Sequence, residues 1–117
     1  MNYARYGRQD GDDVLRGSLR AAPDALCGSI RAEGISRAAR LVEVGLRGGA
    51  IETTLPLRTG DEVGLMFAVP GQAPLVVDRG IVRFVEDDRI GVEFVRMSDA
   101  DRARYRMLLR DEFKQLS

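Results

Sequence analysis

From Ala25 onward the chain is a series of short apolar runs broken at regular intervals by Gly, Pro and Asp, and several runs alternate bulky with lean or polar positions. Period-two alternation marks a strand with one face in a core, and many such runs between turn residues indicate an all-β sandwich or barrel. Six strands are predicted. The first lies near Ala25–Arg31, and Ala32-Glu33-Gly34 forms a short hairpin into the second, Ile35–Val44. The run Gly45-Leu46-Arg47-Gly48-Gly49 turns the chain into a third strand, Ala50–Leu55, which Pro56 stops. In the fourth, Val63, Leu65, Phe67 and Val69 alternate with Gly64, Met66 and Ala68, and Pro70-Gly71 ends it. Leu75–Val85 is the fifth strand, Glu86-Asp87-Asp88 the turn after it, and Ile90, Val92 and Phe94 alternate in the sixth.

The period then changes from two to between three and four. Ser98-Asp99-Ala100-Asp101 reads as a helix start, with Ser98 as N-cap and Asp101 at the N3 position of a capping box, although Glu is the usual residue there. Tyr105, Leu108, Leu109, Phe113 and Leu116 fall on one helical face and Arg102, Arg106, Arg110 and Lys114 on another. The apolar face is expected to close the β-structure; the basic stripe reads as a solvated outer face. Residues 1–15 mix tyrosines, arginines and aspartates without an apolar period, which predicts a flexible arm ahead of a single domain over residues 16–117.

Composition removes most catalytic chemistry. The 117 residues are 44% apolar and 31% charged, within the ordinary globular range and right for one core. Eighteen basic residues balance eighteen acidic ones, so no net field draws nucleic acid or anionic membrane, and any anion must be captured locally. Histidine is absent and Cys27 is the only cysteine, which excludes imidazole bases, Cys-His nucleophiles, His/Cys zinc sites and internal disulfides. No apolar stretch approaches the roughly 20 residues of a membrane helix, and the N-terminus is polar, so a soluble cytoplasmic protein without membrane insertion is expected. Lys114 is the single lysine against seventeen arginines. A GC-rich genome gives such an excess as readily as ligand binding does, so only the placement of individual arginines carries functional information.

Two placements matter. Arg16-Gly17-Ser18-Leu19-Arg20 sets two guanidinium groups four residues apart just ahead of the first strand, and Glu43-Val44-Gly45-Leu46-Arg47-Gly48 occupies the turn after the second. With six strands, a C-terminal helix and Ile90-Gly91-Val92-Glu93-Phe94 as the sixth strand, the layout from Arg16 onward resembles the PilZ domain, a bacterial β-barrel receptor for cyclic di-GMP. That family's signature is RxxxR on the arm and (D/N)xSxxG in the loop. Arg16 and Arg20 match the first part. The second keeps its spacing and final glycine, with Glu43 for the acid or amide and Gly45 for the serine.

The resemblance implies a mainly β, six-stranded antiparallel barrel with a C-terminal helix, no catalysis and no cofactor. It also implies that the arm folds over the dinucleotide while the loop forms the opposite wall. Arg16 and Arg20 would then meet the phosphates and guanine edges, for which a planar fork of donors is suited. Glu43 keeps a carboxylate one methylene further out, Gly45 lacks the hydroxyl, Arg47 offers a compensating phosphate contact, and Gly48 permits a tight turn and close backbone approach. Losing one neutral hydrogen bond at Gly45 weakens the site by about 0.5–1.5 kcal/mol. The partner expected besides the nucleotide is a protein effector of motility, pilus, polysaccharide or transcription machinery. The alternative is an adaptor of the same fold that no longer binds nucleotide. An RNA-binding barrel is disfavoured, since the strands supply only Phe67, Phe84 and Phe94 for base stacking.

Overall fold

In the computed structural model, residue 15 and residues 17–116 are described, those of Pro23 and of 111–116 without their side chains. Arg16, the arm residues before Leu15, and the side chains of Phe113, Lys114 and Leu116 thus lie outside the described residues. Six strands, β1 (Arg20–Ala32), β2 (Ile35–Val44), β3 (Gly48–Thr53), β4 (Glu62–Phe67), β5 (Leu75–Glu86) and β6 (Arg89–Arg96), precede one long helix, α1 (Asp99–Leu116). The strands close into a barrel in the order β1-β2-β3-β6-β5-β4, and every neighbouring pair is antiparallel. The expected mainly β, six-stranded antiparallel barrel with a C-terminal helix is the observed fold.

Alternation decides what faces inward. Val63, Leu65 and Phe67 of β4 are buried while Met66 between them is 46% exposed. Ile30, Leu41, Ile51, Val77, Val82 and Val92 bring the other strands into the same core. The β1–β2 turn consists of Glu33 and Gly34, both at positive φ (51° and 80°), as a two-residue turn matched to strand twist requires.

Strand boundaries shift where pairing overrides local sequence. β1 begins at Arg20, not near Ala25, because the β1–β2 register shifts between Ala21 and Leu26, around Pro23, which has no N–H to donate. Pairing resumes on both sides of this irregularity. β3 begins at Gly48 and ends at Thr53, earlier than Ala50–Leu55, since Gly48 and Gly49 pair with Glu93 and Val92 of β6. Leu15, assigned above to the arm, is 2% exposed, so ordered packing reaches at least to that residue.

Helix α1 covers one end of the barrel. Ser98 Oγ accepts the Asp101 N–H (3.0 Å), as the N-cap reading predicts. The Asp101 carboxylate is engaged elsewhere: its Oδ2 accepts the N–H of Val76 in β5 (3.0 Å), tying helix to barrel. Arg104 adds a fork on the carbonyl of Ala73 in the β4–β5 loop (2.7 and 2.6 Å). Tyr105 and Leu109 enter the core, the Tyr105 ring lying 5.3 Å from that of Phe94. No helix among the described residues is long and apolar enough to cross a membrane.

The face assignment in β4 is open to a direct comparison. Phe67→Ala should lower stability by about 3–5 kcal/mol. Met66→Ala, on the opposite face, should change it by no more than about 0.5 kcal/mol. Urea midpoints of the two variants measure both, and equal losses would refute the assignment.

Candidate functional site

Strand register brings the arm motif to the loop motif. Arg20 stands opposite Val44 and Ala21 opposite Glu43, so the second arginine of the spaced pair sits at the corner where β2 gives way to the Gly-rich turn. Arg20 is exposed, and its Nη1 donates to the Leu19 carbonyl (3.0 Å), leaving the rest of its fork available. Its companion Arg16 lies outside the described residues.

The segment before β1 is held by leucines. Leu15 and Leu19, four residues apart, pack with Ala50, Phe84 and the partly buried Val42 in a second apolar cluster. This cluster lies on the outer face of the sheet: Ile51 and Ile90 are paired core residues, so Ala50 and Gly91 beside them point outward, and Phe84 is opposite Gly91. Ser18 Oγ donates to the Leu15 carbonyl (2.9 Å), bracing the turn between the two leucines.

Gly45 and Gly48 are both required by close approach. A Cβ on Gly45 would lie 2.8 Å from the Ser18 carbonyl oxygen and 3.2 Å from Leu19 Cδ2. The glycine standing where the family has serine therefore gives the arm segment its seat on the loop. A Cβ on Gly48 would lie 1.9 Å from the Val92 carbonyl oxygen, which no residue but glycine allows. Between them the loop closes on itself, the Gly45 N–H donating to the Gly48 carbonyl (3.0 Å).

Tyr105 clamps this closure from the helix. Its hydroxyl donates to the Gly48 carbonyl (2.8 Å) and accepts, at 3.4 Å, from the Gly45 N–H. Burial pushes the phenol well above the ordinary tyrosine range, and the Gly45 N–H opposes this in part. Periodicity places Tyr105 on the core face but says nothing of its role as loop anchor. The available signal was a hydroxyl among leucines, because a buried phenol needs a polar partner.

Glu43 and Arg47 diverge. The Glu43 carboxylate meets Arg89 of β6 (3.5 Å), which also faces Glu52 (3.7 Å), itself paired with Arg40 (3.4 Å). These side chains are about a third exposed or more, so each pair contributes only about 0–1 kcal/mol. The Arg47 carbonyl accepts the Phe94 N–H (2.8 Å), and Arg47 lines a cleft with Arg102 and Arg106 on the helix side of the loop. The structure thus groups Arg20, Glu43, Gly45 and Gly48 at one corner, with Arg47 at the adjoining cleft. Leu15, Leu19, Phe84 and Tyr105 join the site as supports that the motifs do not contain.

Two outcomes test the Tyr105 anchor. Tyr105→Phe should lower stability by about 0.5–1.5 kcal/mol, several degrees in melting temperature for a domain of about 100 residues. In the unaltered protein the folded phenol holds its proton where the unfolded one, with a pKa near 10, gives it up, so stability should fall as pH rises through and beyond about 10. Urea midpoints across that alkaline range should show the fall, and Tyr105→Phe should flatten it; an unchanged slope in the variant would remove the anchor.

The family described as PilZ domain matches residues 15–111, which takes in the anchoring leucines, the whole barrel and most of α1. No curated protein matches the chain.

Proposed function

The chain belongs to the PilZ domain family, and from that premise we propose that it is a non-enzymatic cytoplasmic receptor that binds cyclic di-GMP and relays its level to a protein partner. The observation that carries this reading is the β1–β2 register, which stands Arg20 beside the Glu43–Gly48 turn without any rearrangement of the barrel. Arg20, with Arg16 before it in the chain, supplies forks for the phosphates and guanine edges; Glu43, released from Arg89, takes guanine N–H donors; Gly48 lets the ligand approach the backbone.

Ligand entry has a defined cost. Ser18 and Leu19 lie in contact with Gly45, so a nucleotide placed between arm and loop must lift that segment and expose Leu19. Binding energy is therefore divided between new polar contacts and lost apolar burial. The lifted segment, together with the uncovered Val42, Ala50 and Phe84, is the surface the protein partner would read.

Calorimetric titration with cyclic di-GMP tests the proposal. Saturable binding at micromolar concentration is expected, and Arg20→Ala should weaken it at least about tenfold, since a charge-assisted hydrogen bond contributes about 1.5–3 kcal/mol. Gly45→Ser should move two quantities in opposite directions. The hydroxyl adds a contact and the Cβ pushes Ser18 off the loop, so affinity should rise while the melting temperature of the free protein falls. Absence of saturation would leave the barrel as an interaction adaptor, and affinity indifferent to Arg20→Ala would take that residue out of the site.

A further inference from the structure

We infer that the cleft between the β2–β3 turn and α1 is a second anion site, separate from the arm corner, in which Arg47, Arg102 and Arg106 receive a small phosphate-bearing polyanion. The cleft has a volume of about 440 Å³, of the size small-molecule sites have, and is lined by Leu46, Arg47, Glu93, Phe94, Arg102 and Arg106. None of the residues at the arm corner, Arg20, Glu43, Gly45 and Gly48, lines this cleft, so the inference stands whether or not cyclic di-GMP binds.

The charge is local and unbalanced. Three arginines and one acidic residue line the cleft, and the carboxylate of that acidic residue, Glu93, is already held by Arg83 Nε at 2.8 Å. Among the described residues Arg47, Arg102 and Arg106 have no ion pair, although the chain as a whole carries as many acidic as basic residues. Arg102 and Arg106 are four apart on one helix, where like charges repel. Arg102 ties the helix to β6 through the Phe94 carbonyl, whereas the Arg47 and Arg106 side chains make no bond among the described residues, and an anion would balance their charge.

Two of the three arginines are bonded to the backbone of one residue. The Phe94 N–H donates to the Arg47 carbonyl (2.8 Å), and the Phe94 carbonyl accepts from Arg102 Nη2 (3.3 Å). Phe94 is in turn packed on Tyr105, which grips the loop through Gly45 and Gly48. The Arg47 backbone and the Arg102 guanidinium are therefore registered to one another through the barrel core, while Arg106 is exposed and free to close on a ligand. Each guanidinium presents several donors in a plane, and three of them offer more than one carboxylate can accept; the oxygens of a pyrophosphate or a phosphomonoester, carrying about two negative charges or more, match both the donor number and the charge.

The probe is inorganic pyrophosphate, titrated at constant ionic strength into the full-length protein with backbone and arginine side-chain NMR signals as readout. Saturable shifts at Leu46, Arg47, Phe94, Arg102 and Arg106 are expected. The double variant Arg47→Gln/Arg106→Gln, which removes no side-chain bond found among the described residues, should weaken binding at least tenfold. Arg20→Ala should leave it unaltered, which separates this site from the receptor reading above. Shifts that do not saturate in the millimolar range, or that centre on Arg20 and Glu43, would overturn the inference, as would equal affinity in the double variant whose melting temperature matches that of the unaltered protein.

Discussion

A phenol buried at the mouth of a β-barrel has to find polar partners, and Tyr105 finds both of them in a single loop. Its hydroxyl donates to the Gly48 carbonyl and accepts from the Gly45 N–H, so the height of the loop above the barrel is set by the seating of α1. That seating is determined in turn by the Ser98 cap, the Asp101 bond to Val76 and the Arg104 fork on Ala73. An unpartnered buried hydroxyl would cost about 1–3 kcal/mol. Helix, loop and the sixth strand behind them are thereby coupled, and the arm corner and the arginine cleft both adjoin this joint.

The altered motif takes on a physical meaning in this setting. Gly45 is the spot where the Ser18 carbonyl comes down on the loop, and a side chain there would hold the arm off. Glu43, longer than the aspartate or asparagine of the family pattern, reaches Arg89 on β6 and joins a ladder of outer-face charges running through Glu52 to Arg40. Both substitutions fit the contacts the structure makes here, Gly45 with Ser18 and Leu19, and Glu43 with Arg89.

How much of this was legible in the sequence varies from element to element for identifiable reasons. β2 has the predicted bounds because both of its ends are turns with strong residue preferences, Glu33-Gly34 and the Gly-rich run. The start of β1 was hidden because Pro23 interrupts the pattern locally, whereas the structure merely interrupts the pairing there and resumes it. Leu15 and Leu19 escaped notice since two apolar residues in a charged segment make no periodicity; only the Val42–Ala50–Phe84 patch on the far side of the sequence gives them a partner. Arg106 is exposed, in line with the reading of its stripe as a solvated face, and a helical wheel cannot show that the β2–β3 turn, more than fifty residues earlier, lines a cleft with it.

The irregularity in β1 divides that strand into two parts with different duties. Ahead of it, Arg20 and Ala21 pair only with β2; beyond it, Gly28–Arg31 form the rungs to β4 that close the barrel. None of the closing rungs therefore depends on the two strand residues ahead of the shift. The interruption around Pro23 acts as a stop on a zipper: separation of Arg20 and Ala21 from β2 would end there, short of the seam between β1 and β4.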